Sequence, residues 1–124
     1  MRNSELIVRP ITPADRDIWL RMRCDLWPDD VAAHAREIDA YFDGRMYEPL
    51  EVLIACDSSG EPLGFAELNI RNCVDGCSTD RVGYLEGWYV VPQARRCGVG
   101  AALVRAAENW ARARGCTFSI GSSD

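Results

Sequence analysis

The residues best suited to chemistry lie in one run, Val90-Val91-Pro92-Gln93-Ala94-Arg95-Arg96-Cys97-Gly98-Val99-Gly100-Ala101-Ala102-Leu103. Two glycines one residue apart let a backbone come close to an anion. The first amides of a following helix have no intrahelical acceptor, and the helix dipole adds positive potential there. Such a turn suits a diphosphate, and Arg95 and Arg96 set two cations beside it. A dinucleotide fingerprint would need a third glycine where Leu103 stands, and a P-loop would need a lysine, which this chain lacks. The remaining alternative is an ordinary glycine-containing loop ahead of a core helix.

Two other groups could carry chemistry. His34 is the single histidine, and the sequence names no partner for it, so it is expected on the solvated side of its helix. Cys73 and Cys77 are the one close pair among six cysteines. No second pair or nearby histidine completes a four-ligand site, so no metal is expected and the thiols read as reduced.

The elements that must position these residues follow from periodicity. Residues 6–9 form a short first strand stopped by Pro10. Thr12 and Pro13 open a helix whose inward face is expected to carry Ile18, Met22 and Leu26, with Trp19 beside them. Trp27-Pro28 ends it. Asp29 and Asp30 open a second helix reaching about Phe42, with Val31, Ala35, Ile38 and Phe42 at helical spacing. Residues 51–56 and 63–71 make a hairpin around Ser58-Ser59-Gly60-Glu61-Pro62, and Ala66, Leu68 and Ile70 alternate with Phe65, Glu67 and Asn69. A polar loop over 72–81 leads to a long strand over 82–91, then to a helix over 99–114 capped by Gly115 and a last strand from Cys116. The order is β-α-α-β-β-β-α-β, an α/β (α+β) chain whose final βαβ unit is long enough for a parallel crossover.

With 124 residues, 1–124 reads as one domain. The net charge is −5, which disfavours nucleic acid and suits a cationic ligand. No apolar run approaches the roughly 18 residues of a membrane span. With no signal-like stretch at the start, a cytoplasmic location is expected, away from membranes.

The segment Arg-x-x-Gly-x-Gly, set between a strand ending in Val-Pro and an Ala/Leu-rich helix, resembles motif A of the GCN5-related N-acetyltransferases (GNAT). The element order matches that fold, a mixed β-sheet flanked by helices, from its first strand to its fifth. The resemblance implies that the backbone at Arg96, Cys97, Gly98, Val99, Gly100 and Ala101, with Arg95 beside it, holds the pyrophosphate of acetyl-CoA. It implies too that the pantetheine arm pairs like an extra strand with Trp88, Tyr89 and Val90, between splayed fourth and fifth strands. A backbone N–H there would polarise the thioester carbonyl. The superfamily continues with a further helix and two strands, which this sequence does not contain. Its fifth strand, left as an edge, is expected to seek a partner, and a homodimer follows.

Leu26-Trp27-Pro28, Gly64-Phe65-Ala66, the loop from Arg71 to Gly76, Leu85-Glu86-Gly87-Trp88-Tyr89-Val90 and Arg114-Gly115-Cys116 resemble aminoglycoside 6'-N-acetyltransferases within that superfamily. The implied reaction moves acetyl directly from acetyl-CoA to an amine of an aminoglycoside antibiotic. Glu86 is expected on the strand face shared by Tyr84 and Trp88, accepting hydrogen bonds from the amine or drawing off its proton through a water. Its alternative is a structural carboxylate bonded to amides at a sheet bulge. Trp27 would line the substrate pocket, or else be a core tryptophan. Cys73 stands where family members often carry a tyrosine, and Asp124 is the nearest acidic residue after the fifth strand; both are expected to touch substrate. The competing functions are acetylation of another small amine or a protein N-terminus, and a non-catalytic acetyl-CoA-binding or assembly module.

Overall fold

The computed structural model describes residues 5–28, 30–45, 48–72 and 81–120. Strands β1 (Ile7–Pro10), β2 (Glu51–Cys56), β3 (Pro62–Asn72), β4 (Arg81–Val90) and β5 (Thr117–Ile120) form one sheet in sequence order. All pairings are antiparallel except β4 with β5, which the crossover helix α3 (Val99–Ala113) makes parallel. This is the mixed sheet expected from the element order.

Helix α3 covers one face of the sheet, and α1 (Arg16–Leu26) with α2 (Val31–Phe42) covers the other. The alternation in β3 explains how one strand serves both. Ala66 and Leu68 pack under α3 beside Leu103, Ala107 and Trp110, while Phe65 packs with Trp19, Met22 and Ile38 on the opposite face. Each large side chain so buried contributes about 1.5–3 kcal/mol relative to exposure.

Two helix expectations are corrected. In α1 the buried residues are Trp19, Met22 and Arg23, with Ile18 and Leu26 only half-buried at the edges. The indole is the largest apolar group on the helix, and it meets the sheet together with Met22, while Ile18 and Leu26 pack at the margin of the same core. In α2, Asp30 caps the first turn by accepting from the Ala33 amide, and Val31 is 56% exposed. His34, expected in solvent, is buried at 8% exposure beside Ile38. Its ring stacks on Trp27 and Nε2 pairs with the Trp27 carbonyl, while the buried Nδ1 has no partner among the described residues.

The feature that matters most for function is a break in register between β3 and β4. Glu67 pairs with Gly87, but Leu68 pairs with Leu85, so Glu86 is an extra residue in β4. Such a bulge puts two successive residues on the same face. Leu85 packs under α3, whereas a Cβ at Gly87 would meet the Trp27 indole on the α1/α2 side. Glu86 therefore shares its face with Tyr84 and Gly87, while Trp88 points the other way, toward Gly100. The expected common face of Glu86 and Trp88 is thus overturned by the bulge.

Candidate active site

The turn into α3 is built from conformations few residues accept. Gly98 caps the helix at φ 87, and Arg96 sits at φ 66, a left-handed value costing an arginine on the order of 1 kcal/mol. Arg95 is pinned by its Nε, which donates to the Val90 carbonyl at 2.8 Å, and by its guanidinium lying 5.5 Å from the Tyr89 ring centre. The exposed Cys97 thiol bonds only locally, to the Arg95 carbonyl. Val99, fully buried, anchors the first turn of the helix.

The Ala102 amide is the first in the helix to bond, reaching the Gly98 carbonyl at 3.0 Å. Among the described residues, no backbone carbonyl accepts from the amides of residues 96–101. A Cβ at Gly98 would meet nothing within 4 Å, so the space beside Gly98 is open, while the Trp88 ring lies against Gly100. Free amides, a helix N-terminus and two exposed arginines fit a diphosphate group.

Beside the turn, β4 runs past the last described residue of β5. Its pairing with β5 runs from Val82↔Thr117 to Leu85↔Ile120 and, among the described residues, goes no further. The Val91 amide donates to Leu63 of the β3 side, so alternation turns the amides of Val90 and Trp88 to the open edge. An extended ligand can bond there as a strand would. Trp88, 41% exposed, packs its ring against Gly100, joining this edge to the turn.

On the α1/α2 side of the bulge lies a cavity of about 340 Å³, lined by Arg23, Trp27, Glu37, Glu48, Pro49, Glu67, Asn69 and Glu86. Four carboxylates face one another here. Arg23 is built into the wall: Nη1 lies 2.8 Å from Glu37, Nε lies 3.0 Å from Glu67, and its guanidinium stands over Trp27 at 5.5 Å. Glu67 also accepts from the Trp19 indole at 3.1 Å. Burial pushes the Glu67 carboxyl up from the usual carboxylate range, and Arg23 and Trp19 pull it back in part. Asn69 accepts from the Leu50 amide, fixing the lip of the cavity. Glu86 is held at the rim by Arg71, whose Nε lies 2.7 Å away.

Trp27 is placed by α2. Its carbonyl accepts from His34 Nε2 at 2.8 Å, and the two rings stack 6.4 Å apart at 19°. Behind the sheet opening, the Tyr89 hydroxyl donates to Asp25 of α1 at 3.0 Å, and burial leads the influences that raise the Tyr89 phenol.

The sequence profile of the Acetyltransferase (GNAT) family matches residues 19–122. The chain belongs to this family. It is 53% identical to the aminoglycoside N(6')-acetyltransferase type 1 of Klebsiella aerogenes over 93% of its length and 76% of that protein's. Among solved structures it is similar to the aminoglycoside 6'-N-acetyltransferase AAC(6')-Ih of Acinetobacter baumannii, at TM-score 0.79 and 30% identity, covering 95% of this chain and 80% of that one. It is also similar to AAC(6')-Iy in complex with the bisubstrate analogue CoA-S-monomethyl-acetylneamine, at TM-score 0.80 and 29% identity, covering 96% and 80%.

Within this GNAT chain, the expected residues fall into two groups divided by the sheet. Arg95 to Ala101 form the turn into α3, with Trp88 against it and the Val90 edge beside it. Glu86 and Trp27 meet in the acidic cavity on the other face. Tyr89 lies between them: its backbone faces β3 opposite Phe65, so its amide does not reach the open edge, and its side chain reaches Asp25 of α1. Cys73 and Asp124, expected to touch substrate, lie outside the described residues, as does the Cys73–Cys77 pair. Sequence reasoning missed Arg23, Glu37, Glu48, Glu67, Asn69 and Arg71, and placed His34 in solvent. One signal for Glu67 and Asn69 was present: at period two they share the face of Phe65, and a strand carrying Phe65 on that face and Ala66, Leu68 and Ile70 on the other is covered on both sides.

Proposed function

We propose that this chain is an aminoglycoside 6'-N-acetyltransferase, taking acetyl-CoA on one face of its sheet and a polycationic antibiotic on the other. The observation that carries the reading is the bulge at Glu86. It turns Glu86 and Gly87 toward a cavity lined by four glutamates, while the next residues present a free strand edge to the thioester. The identity to the Klebsiella aerogenes acetyltransferase supports the same substrate class.

The roles follow from placement. Amides of residues 96–101 hold the diphosphate, and the outward amides of Trp88 and Val90 align the pantetheine arm and polarise the acetyl carbonyl. Acetyl-CoA supplies an activated acyl group. Glu86 accepts the ammonium of the substrate and draws off its proton, directly or through a water, so that the neutral amine attacks. The new C–N bond forms as the C–S bond breaks, and the sulfur leaves with the electron pair and is protonated. Trp27 offers a flat wall to a sugar ring, and Glu37, Glu48 and Glu67 make the cavity favour further cations. Cys73 and Asp124 are assigned to the same antibiotic from the resemblance alone.

The reading includes a homodimer in the cytoplasm. The outer edge of β5 has no neighbouring strand among the described residues, and Ile120 there is half-exposed. Light scattering at twice 13.8 kDa supports the dimer, and a monomer removes it.

The deciding experiment measures thiol release from acetyl-CoA with kanamycin or tobramycin against peptide amines. Release with the antibiotics alone is expected; a preference for peptide amines overturns the substrate class. Saturable acetyl-CoA binding without turnover on any amine would leave only a binding module.

A further inference from the structure

We propose that Arg71 is an internal counter-ion occupying the carboxylates an incoming substrate ammonium needs, and that it sets the affinity of the site for cations. The inference rests on Glu86 being the station for the reacting amine, as proposed above. One guanidinium of this chain already sits there: Arg71 Nε and Nη2 lie 2.7 and 2.5 Å from the same Glu86 oxygen, and Nη2 lies 3.7 Å from Glu48. Arg71 thus engages two of the four carboxylates lining the cavity.

The two arginines at this cavity differ in kind. The Arg23 side chain is 10% exposed, touches Glu37 and Glu67, and stands over Trp27, so it is part of the wall. The Arg71 side chain is 46% exposed at the end of β3, and besides the two glutamates it has the Tyr84 ring at 5.8 Å. A long side chain so exposed leaves its partners at the modest cost of a screened surface pair. An ammonium approaching Glu86 either displaces this guanidinium or sits beside it against like-charge repulsion. In both cases Arg71 opposes the binding of a cation. It offsets part of the negative charge of Glu86 and Glu48 when the site is empty, at the expense of affinity.

The test uses calorimetry and steady-state kinetics on the chain with kanamycin as probe. Arg71→Ala is expected to tighten kanamycin about fivefold at low ionic strength, the size of an exposed charge pair. The gain should shrink toward 0 as salt approaches about 0.5 M, where the Debye length is only a few ångströms. The KM for acetyl-CoA should stay at the parental value. Arg71→Gln, which keeps the stem, should behave like Arg71→Ala, and Arg71→Lys should fall between it and the parent. In a Glu86→Gln background, Arg71→Ala should tighten kanamycin less than it does with Glu86 present, since only Glu48 is then released. Unchanged or weaker kanamycin binding in both neutral variants, with Glu86 present and acetyl-CoA KM unaltered, overturns the inference. If Glu86→Gln weakens transfer while the Arg71 variants do not tighten binding, this inference alone fails. If Glu86→Gln leaves binding and transfer at parental levels, the reading of Glu86 falls and this inference with it.

Discussion

The bulge places Gly87 against Trp27, and substituting that glycine tests the arrangement directly. A Cβ built on Gly87 lies 2.6 Å from Trp27 Cη2, 3.4 Å from Cζ2 and 3.5 Å from Cζ3. Carbon atoms rest at about 3.5 Å or more, so the indole must retreat by roughly 0.9 Å. It cannot do so freely, with His34 stacked on it and Arg23 over it. Gly87→Ala should therefore cost about 1–3 kcal/mol, the range for an extra methyl forced into a packed site. For a chain of this length that is a fall in Tm of about 5–10 °C. Because the indole is a wall of the acidic cavity, the kanamycin KM should rise several-fold while the acetyl-CoA KM holds. Thermal denaturation and kinetics should be repeated in a Trp27→Ala background. There the obstacle is gone, and the added methyl should cost less than about 0.5 kcal/mol. An equal penalty in both backgrounds would refute the reasoning, since the damage would then not pass through Trp27.

Three other expectations follow from the same geometry. Glu86→Gln keeps the shape of the site but removes its proton acceptor, so kcat should drop about 10²-fold or more near neutral pH, measured by thiol release; unchanged turnover across pH removes the acid–base role. Gly98→Ala meets no atom within 4 Å, but its φ of 87 should cost about 1 kcal/mol, read by denaturant unfolding, and coenzyme A affinity should fall as the methyl enters the anion turn. Asp15 is held below the usual aspartate range, chiefly by hydrogen bonds from Arg9 and also by the Thr12 amide. A lowered folded-state pKa makes its contribution complete above the unfolded value of about 4 and lost as pH falls through the lower one. Asp15→Asn should therefore flatten the loss of stability between about pH 5 and 3 in urea titrations; a parental slope would count against it.

Local patterns carried much of this protein. The period-two alternation of β3 and the helical spacing of Val99, Leu103, Ala107 and Trp110 settle which faces are covered, because neighbouring residues alone decide them. The turn around Gly98 was readable for a similar reason: glycine spacing and a helix start are local chemistry, and the open amides of residues 96–101 follow. Trp27 and Glu86 could be singled out by likeness to a family.

What only the tertiary structure decided was how those pieces face one another. Strict alternation puts Glu86 with Trp88; pairing with β3 inserts one residue and sends them to opposite faces of the sheet. His34 has no local signal for burial, and its place comes from the Trp27 carbonyl across the helix–helix junction. The acidic cavity draws on residues 37, 48, 67 and 86, far apart in the chain and joined by packing of α2 on the bulged sheet. Charge of that kind is a sum over distance, and no sequence window contains it.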